Sequence, residues 1–208
     1  MRLVYFADPM CSWCYGFGPA LARALERRPA TRLDLVMGGL RAFNTDVLTP
    51  SFRETLLGHW RHVADASGLP FNPGALDREG FVYDTEPACR AVVTARESDP
   101  AKAFGLLEAL QRAFYRDGRD VTQAGVLTDI AIAGGFDGDA FRSRFESDAL
   151  REATRRDFAA TQALGIGGFP TLAAGDGPRL TLVTAGYIGT DVLEGRLEEL
   201  ERLERPPQ

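Results

Sequence analysis

The stretch that decides the fold is DPMCSWCYGF at residues 8–17, which places Cys11 and Cys14 in a C-x-x-C pattern. It follows the apolar run RLVYFA at residues 2–7, which is typical of a buried strand, and it opens a segment with helical spacing. Two residues between the cysteines, bent into a first helical turn, bring the sulfurs within bonding distance. The pattern therefore predicts a reactive cysteine pair at a strand–turn–helix junction.

This placement also predicts different roles for the two sulfurs. The unpaired amides and the positive end of a helix stabilise a thiolate, and Cys11 is nearest to them. Cys11 is therefore the expected nucleophile towards a disulfide. Cys14 is expected to attack the resulting mixed disulfide and release the reduced product.

A C-x-x-C pattern has two other interpretations. It can be half of a zinc site, which needs about four ligands. The spare ligand types here are Cys89, His59 and His62, and they lie on predicted helices without matching spacing. The pair can also be structural, but the strand–turn–helix context disfavours that. We therefore expect no metal, and we expect Cys89 to be a buried structural thiol rather than a redox partner.

Outward from the motif, the pattern predicts a small mixed sheet. Residues 33–39 form a second strand, parallel to the first and joined to it by the helix. Two more strands are predicted at residues 171–174 and 179–184, as a hairpin about a turn at residues 175–178. A last helix is predicted at residues 190–203.

Between these two β parts the chain is predicted to be helical, from about residue 50 to 164. Turn residues separate helices near 86–97, 100–116, 123–133, 138–146 and 148–164. The β parts are each too small to stand alone, so we expect one sheet with a helical insertion. Pro19 predicts that the first helix kinks or begins at that residue.

A second informative segment is GIGGFPTL at residues 165–172. Pro170 stands directly before a predicted strand and after a glycine-rich turn, which fits a cis peptide bond after Phe169. An ordinary trans proline opening an edge strand is the alternative. Its combination with the C-x-x-C pair favours the cis form.

The C-x-x-C pair, the helical insertion and the late Phe-Pro-Thr, in this order, resemble the DsbA-like branch of the thioredoxin superfamily. The segments at residues 8–14, 85–91 and 111–121 are similar to its cytosolic FrnE-like members. The resemblance implies an α/β thioredoxin fold with a mixed sheet, βαβ…ββα, and an inserted all-helical part. It divides the chain into a thioredoxin-like domain, residues 1–45 plus 148–208, and an inserted helical domain, residues 46–147.

The resemblance also implies roles for residues around the sulfurs. Pro170 would be cis and lie beside them, and the backbone of Phe169 would hydrogen-bond a substrate peptide. Ser12 and Trp13 would contact substrate, with Trp13 exposed in an apolar patch suited to unfolded or peptide-like partners. Strong periplasmic oxidants of this family carry proline and a thiolate-stabilising histidine in place of Ser12 and Trp13. A reductase or isomerase is therefore expected rather than a strong oxidant.

Charge and hydropathy limit the partners. The net charge is −5 and the pI is about 5.2, so no general attraction to nucleic acid is expected. The apolar run at residues 2–7 is too short for a signal peptide or a membrane span. We expect a cytoplasmic protein acting on protein or peptide thiols and disulfides, with glutathione as a further candidate, and no cofactor beyond the two sulfurs.

Two other functions remain open from the sequence. Kappa-type glutathione transferases and 2-hydroxychromene-2-carboxylate isomerases resemble this chain in architecture, but they usually carry serine at the position of Cys11. Some cytosolic relatives with a similar motif resemble adaptors that present a client to a protease. The reduction potential and the oligomeric state are left open.

Overall fold

The chain is organised around a four-stranded mixed sheet. The computed structural model describes residues 1–175 and 179–204. The strands are β1 (Arg2–Ala7), β2 (Arg32–Met37), β3 (Thr171–Ala174) and β4 (Thr181–Ala185), in the spatial order β2-β1-β3-β4. All four were predicted, and residues 176–178 of the predicted hairpin turn lie outside the described residues.

The strand directions confirm the predicted topology. β1 and β2 run parallel, with Tyr5 opposite Leu35, and the helix after β1 makes the crossover between them. β3 is antiparallel to β1 and to β4, with a register shift between Leu172 and Ala173. The α/β fold class and the order βαβ…ββα are therefore as expected.

The described residues contain eight α-helices, most of which separate β2 from β3 along the chain. They are α1 (Ser12–Glu26), α2 (Pro50–Ser67), α3 (Glu86–Ser98), α4 (Pro100–Tyr115), α5 (Ala124–Ala133), α6 (Gly138–Glu146), α7 (Asp148–Ala163) and α8 (Thr190–Glu204), with a 3₁₀ turn at Pro73–Leu76. Side chains that accept a hydrogen bond from a first-turn amide begin four of them: Thr49, Asp99, Asp137 and Ser147. Such caps satisfy amides that have no partner inside the helix.

Helix α1 excludes one of the two alternatives predicted at Pro19. The helix begins at Ser12 and continues past Pro19, so it does not begin at the proline. Pro19 lacks an amide hydrogen and leaves the carbonyl of Tyr15 without its helical partner. Its ring is exposed, so the core packing of α1 tolerates it. The early start is what places the cysteine pair at the amino end of a full-length helix.

The free edge of β2 is covered by side chains of α3 and α7. Asp157 accepts a hydrogen bond from the Met37 amide at 2.9 Å, and Thr161 donates to the Met37 carbonyl at 3.3 Å. Arg96 donates to the Leu35 carbonyl at 2.6 Å and to Asp157 at 2.7 Å. These contacts satisfy edge groups that would otherwise pair with another strand, and they fasten the insertion to the sheet.

Buried side chains form one hydrophobic cluster that runs through the sheet and the insertion, from Leu3 on β1 to Phe114 on α4 and Leu193 on α8. The division into residues 1–45 plus 148–208 and residues 46–147 stays a prediction. No helix in the two described ranges is both long and apolar enough to cross a bilayer.

Candidate active site

The cysteine pair lies where β1 ends and α1 begins. Cys11 is the residue before the first helical turn, with φ −92° and ψ 116°, and its amide donates to the Asp8 carbonyl at 3.0 Å. Cys14 lies within the first turn. Both thiols are free, and the side chain of Cys11 is 6% exposed whereas that of Cys14 is 0% exposed. The predicted strand–turn–helix setting of the motif is confirmed.

The two thiols have different surroundings. The Cys11 thiol donates to the carbonyl oxygen of Phe169 at 3.4 Å. Cys14 faces the interior, where burial raises the pKa of its thiol well above 9.0, and the neighbouring Cys11 raises it further. Cys11 is therefore the more accessible of the two sulfurs, and Cys14 is the enclosed one.

The loop before β3 brings Phe169 to the Cys11 sulfur, and Pro170 follows it. Their peptide bond is cis, as the sequence predicts. Pro170 is buried and its carbonyl accepts from the Gly186 amide at 2.7 Å, while Phe169 is half-buried. The Phe169 ring lies directly on Gly38, where an added Cβ would fall 1.9 Å from the ring. Glycine at position 38 is therefore what allows Phe169 to occupy this place beside Cys11.

Three residues next to Cys11, either in the chain or by contact, are partly exposed. Ser12, Trp13 and Phe169 each keep some accessible surface. The Trp13 indole packs on Tyr187, with ring centroids 5.4 Å apart at 42°. Sequence reasoning missed Tyr187, since nothing local ties the loop after β4 to the motif. These aromatic groups form an apolar rim, although the substrate-binding roles of Ser12, Trp13, Phe169 and Pro170 stay predictions.

Below the motif lies a buried carboxylate, that of Asp8, which is 0% exposed. It accepts hydrogen bonds from the Met10 amide at 2.8 Å and the Leu40 amide at 2.7 Å, and from the Cys89 thiol at 3.4 Å. Burial raises the pKa of Asp8, while the hydrogen bonds lower it. Asp8 thus joins three segments of chain under the cysteines. Cys89 is fully buried, as predicted.

Two buried tyrosines hold the loop from the side of the insertion. The Tyr83 hydroxyl donates to the Met10 carbonyl and lies 3.4 Å from the Tyr115 hydroxyl. Tyr115 stacks on Tyr15 of α1, with centroids 5.1 Å apart at 12°. Sequence reasoning missed both as site residues, although Tyr115 lies in the segment at 111–121 that carried the family resemblance.

Metal ligands are not assembled here. Across the described part of the chain, no three His, Cys, Asp or Glu side chains are placed to hold a metal ion. His59 and His62 are exposed on α2, and Cys89 contacts Asp8.

With this geometry in place, comparison with known proteins decides the family. Residues 2–198 match the model of the DSBA-like thioredoxin domain. The chain belongs to this family. Among curated proteins, the DSBA-like chain is 23% identical over 173 residues to the ClpXP adapter protein SpxH of Shouchella clausii. That match covers 82% of this chain and 56% of the relative, so the chain spans little more than half of the relative's length.

Solved structures of DSBA-like proteins superpose on nearly the whole chain. A "putative protein disulfide isomerase" from Nitrosomonas europaea is 36% identical with a TM-score of 0.91, covering 98% of each chain. The cytosolic disulfide reductase DsbM from Pseudomonas aeruginosa is 30% identical with a TM-score of 0.83, covering 98% of this chain and 100% of its own. A 2-hydroxychromene-2-carboxylate isomerase, 16% identical at a TM-score of 0.66, shares the fold alone. The chain therefore belongs to an oxidoreductase family, and the solved structures similar to it include a disulfide reductase.

Proposed function

We propose that this DSBA-like protein is a thiol–disulfide oxidoreductase of the reductase or isomerase type. The observation that carries the proposal is the difference between its two free thiols at one helix terminus. Cys11 is the accessible sulfur, and Cys14 is buried one helical turn behind it. Nucleophilic attack requires access to substrate, whereas resolution requires only access to the partner sulfur.

The exchange has two steps. The Cys11 thiolate attacks one sulfur of the substrate disulfide, forms a mixed disulfide and expels the other substrate sulfur as a thiolate. Cys14, once deprotonated, attacks the Cys11 sulfur and expels the second substrate sulfur. The substrate disulfide is reduced by two electrons, and the dithiol becomes the Cys11–Cys14 disulfide. In the reverse direction the same steps oxidise a dithiol.

The proposed substrates are protein or peptide disulfides held against the apolar rim. The main chain of Phe169 would pair with an extended peptide, and Trp13 would contact its side chains. Glutathione is the proposed small-molecule thiol, supported by a solved structure of DsbM with GSH. A cytoplasmic location is proposed on the same ground, because the similar DsbM is named a cytosolic disulfide reductase.

The test is exchange between the reduced protein and a fluorescent disulfide peptide, with glutathione disulfide as a second substrate. Cys11→Ser is expected to abolish exchange while the fold is retained. Cys89→Ser is the matched control, since it removes a thiol outside the motif and leaves a hydroxyl that can still donate to Asp8. Exchange that survives in Cys11→Ser would contradict the proposal.

A second candidate function is client binding as an adaptor, which the similarity to an adapter protein favours. Binding of a client would then persist when Cys11 and Cys14 are both changed to serine. Pull-down of the same client by the wild-type protein and the double variant separates the two functions, because an oxidoreductase loses its covalent complexes in that variant.

A further inference from the structure

A small cavity lies between α1 and α4, where the insertion meets the first helix. Its volume is about 180 Å³. Because a water molecule in the liquid takes up about 30 Å³, the cavity has room for about six waters or for one small organic molecule. The residues that line it include Tyr15, Gly18, Pro19, Glu108, Gln111 and Arg112.

Helix α1 is open on the side of this cavity because of two residues in its interior. Gly18 and Pro19 are the residue types that a helix interior accepts least well. Pro19 has no amide hydrogen, so the Tyr15 carbonyl lacks its helical partner. A Cβ at Gly18 would lie 3.7 Å from the Oε1 atom of Gln111 and 3.8 Å from that of Glu108, which is ordinary contact. Alanines at these two positions would fill the space and leave no free carbonyl.

The polar groups around Gly18 are not satisfied by one another. Gln111 is 2% exposed, and its side-chain nitrogen has no hydrogen-bond partner. Its oxygen lies beside the oxygen of Glu108, and both atoms are acceptors. Native proteins rarely leave buried polar groups in this state. A bound molecule with several N–H donors would satisfy the acceptors.

Opposite charges line the cavity one helical turn apart. Glu108 and Arg112 are four residues apart on α4, about 6 Å along its axis, a spacing at which helices commonly form ion pairs. In the part of the chain that the structure describes, Arg116 pairs with Asp117, whereas Glu108 and Arg112 have no ion-pair partner. Burial raises the pKa of Glu108 above 4.5, and the charge of Arg112 opposes this rise. One bound molecule can therefore meet both an unpaired anion and an unpaired cation.

We propose that this cavity binds a small zwitterionic α-amino acid. The ammonium group donates to the Glu108 carboxylate, the Gln111 oxygen and the Tyr15 carbonyl, which together match its three N–H bonds. The carboxylate of the ligand lies towards Arg112, whose planar guanidinium offers paired donors. L-Alanine carries both charged groups and has a size that the cavity admits. This binding uses neither sulfur of the cysteine pair, so it is a function additional to the proposed exchange.

The test is isothermal titration calorimetry of the reduced full chain with L-alanine and two of its derivatives. N-acetyl-L-alanine lacks the ammonium group, and L-alaninamide lacks the carboxylate. A hydrogen bond to a charged group contributes about a tenfold change in affinity or more. Each derivative is therefore expected to bind at least about tenfold more weakly than L-alanine.

Two charge variants assign the two ends of the ligand. Glu108→Gln is expected to weaken L-alanine about tenfold and to remove its advantage over N-acetyl-L-alanine. Arg112→Gln is expected to remove its advantage over L-alaninamide. A merely structural role would lower affinity without changing these preferences. Glu198→Gln and Arg142→Gln, exposed changes on α8 and α6, are the matched controls and leave binding unaltered.

Gly18→Ala tests the cavity itself. The added methyl group occupies the space beside Glu108 and Gln111, so L-alanine is expected to bind at least about tenfold more weakly. The free energy of unfolding in urea is expected to rise, because alanine favours the helix. Weaker binding in a more stable protein separates blockage of the site from damage to the fold.

Three results would overturn the proposal. The first is no heat of binding with L-alanine and no change in amide chemical shifts, in which case the cavity holds water only. The second is equal affinity for the three compounds, and the third is unchanged affinity for L-alanine in both Glu108→Gln and Gly18→Ala. Cys11→Ser is expected to bind L-alanine like the wild type, so a failure of the exchange function leaves this binding measurable.

Discussion

The surroundings of Cys11 and those of Cys14 differ more than their separation of one helical turn suggests. Cys11 contacts the carbonyl of Phe169 and borders a partly exposed aromatic rim. Cys14 is fully enclosed in the interior. In the proposed exchange, the rim would select the molecules that reach Cys11, and the interior would control the reaction of Cys14. The two halves of one motif are therefore controlled by different parts of the molecule.

The largest effect is expected from a change to Cys14, because it alters one of the two environments and leaves the other intact. Cys14→Ser removes the resolving sulfur and leaves the rim intact, so attack at Cys11 is expected to continue while multiple turnover stops. Non-reducing electrophoresis and mass spectrometry would then find a stable mixed disulfide at Cys11. Turnover of Cys14→Ser at the wild-type rate would mean that the buried cysteine has no role in exchange.

The next effect concerns the rim. Gly38→Ala places a methyl group into the Phe169 ring, and overpacking of this kind costs about 1–3 kcal/mol. We expect a lower free energy of unfolding in urea and slower attack by Cys11, because the ring and the loop beside the sulfur must move. Addition of Phe169→Ala is expected to restore stability but not attack. If the losses in free energy of unfolding caused by Gly38→Ala and Phe169→Ala simply add, the two residues do not interact, and the contact is contradicted.

A smaller effect is expected from the support below the loop. Tyr83→Phe removes the hydrogen bond to the Met10 carbonyl, which leaves a buried acceptor unpaired at a cost of about 1–2 kcal/mol. Exchange is expected to fall by a few-fold at both steps, since the loop positions both cysteines. Chemical denaturation checks the stability, and mass spectrometry of acid-quenched samples gives the rates of mixed-disulfide formation and resolution. A loss confined to resolution would assign Tyr83 to the Cys14 environment instead.

The smallest effect is expected at Asp34, which lies away from both cysteine environments and serves as a control position. Asp34 on β2 forms ion pairs with Arg2 at 2.5 Å and Arg32 at 2.9 Å. Burial alone would raise the pKa of Asp34, but the two guanidinium groups outweigh it and lower the pKa below 3.8. Asp34→Asn is therefore expected to cost about 0.5 kcal/mol at pH 7 without changing exchange.

The sign of the pH dependence follows from that lowered pKa. The folded protein binds the Asp34 proton more weakly than the unfolded chain, so this stabilisation is present above pH 3.8 and is lost as the pH falls through the lower folded value. The difference in stability between the wild type and Asp34→Asn should shrink to nothing in that window. A difference that grows towards acid pH would contradict the ion pairs.

Much of the site and the fold could be predicted because the signals are local. The C-x-x-C pair, the strand before it and the Phe-Pro pair before β3 each occupy a few consecutive residues, and helix caps such as Asp99 and Ser147 mark boundaries within one turn. The order of these parts in turn supported the family resemblance. At Pro19 local rules left a kink or a helix start open, and the structure excludes the start, because α1 continues through the proline on an exposed face.

The sequence by itself determined the C-x-x-C pair and the strands and helices, because each depends on neighbouring residues. The cis peptide bond was predicted from Pro170 together with the distant C-x-x-C pair. Only the tertiary structure decided the surroundings of the pair. Asp8 meets Leu40 and Cys89 at separations of 32 and 81 residues, and Cys11 meets Phe169 at a separation of 158. No periodicity encodes such contacts, since they arise where distant segments are packed together by the shared core. The burial of Cys14 is a property of that packing alone.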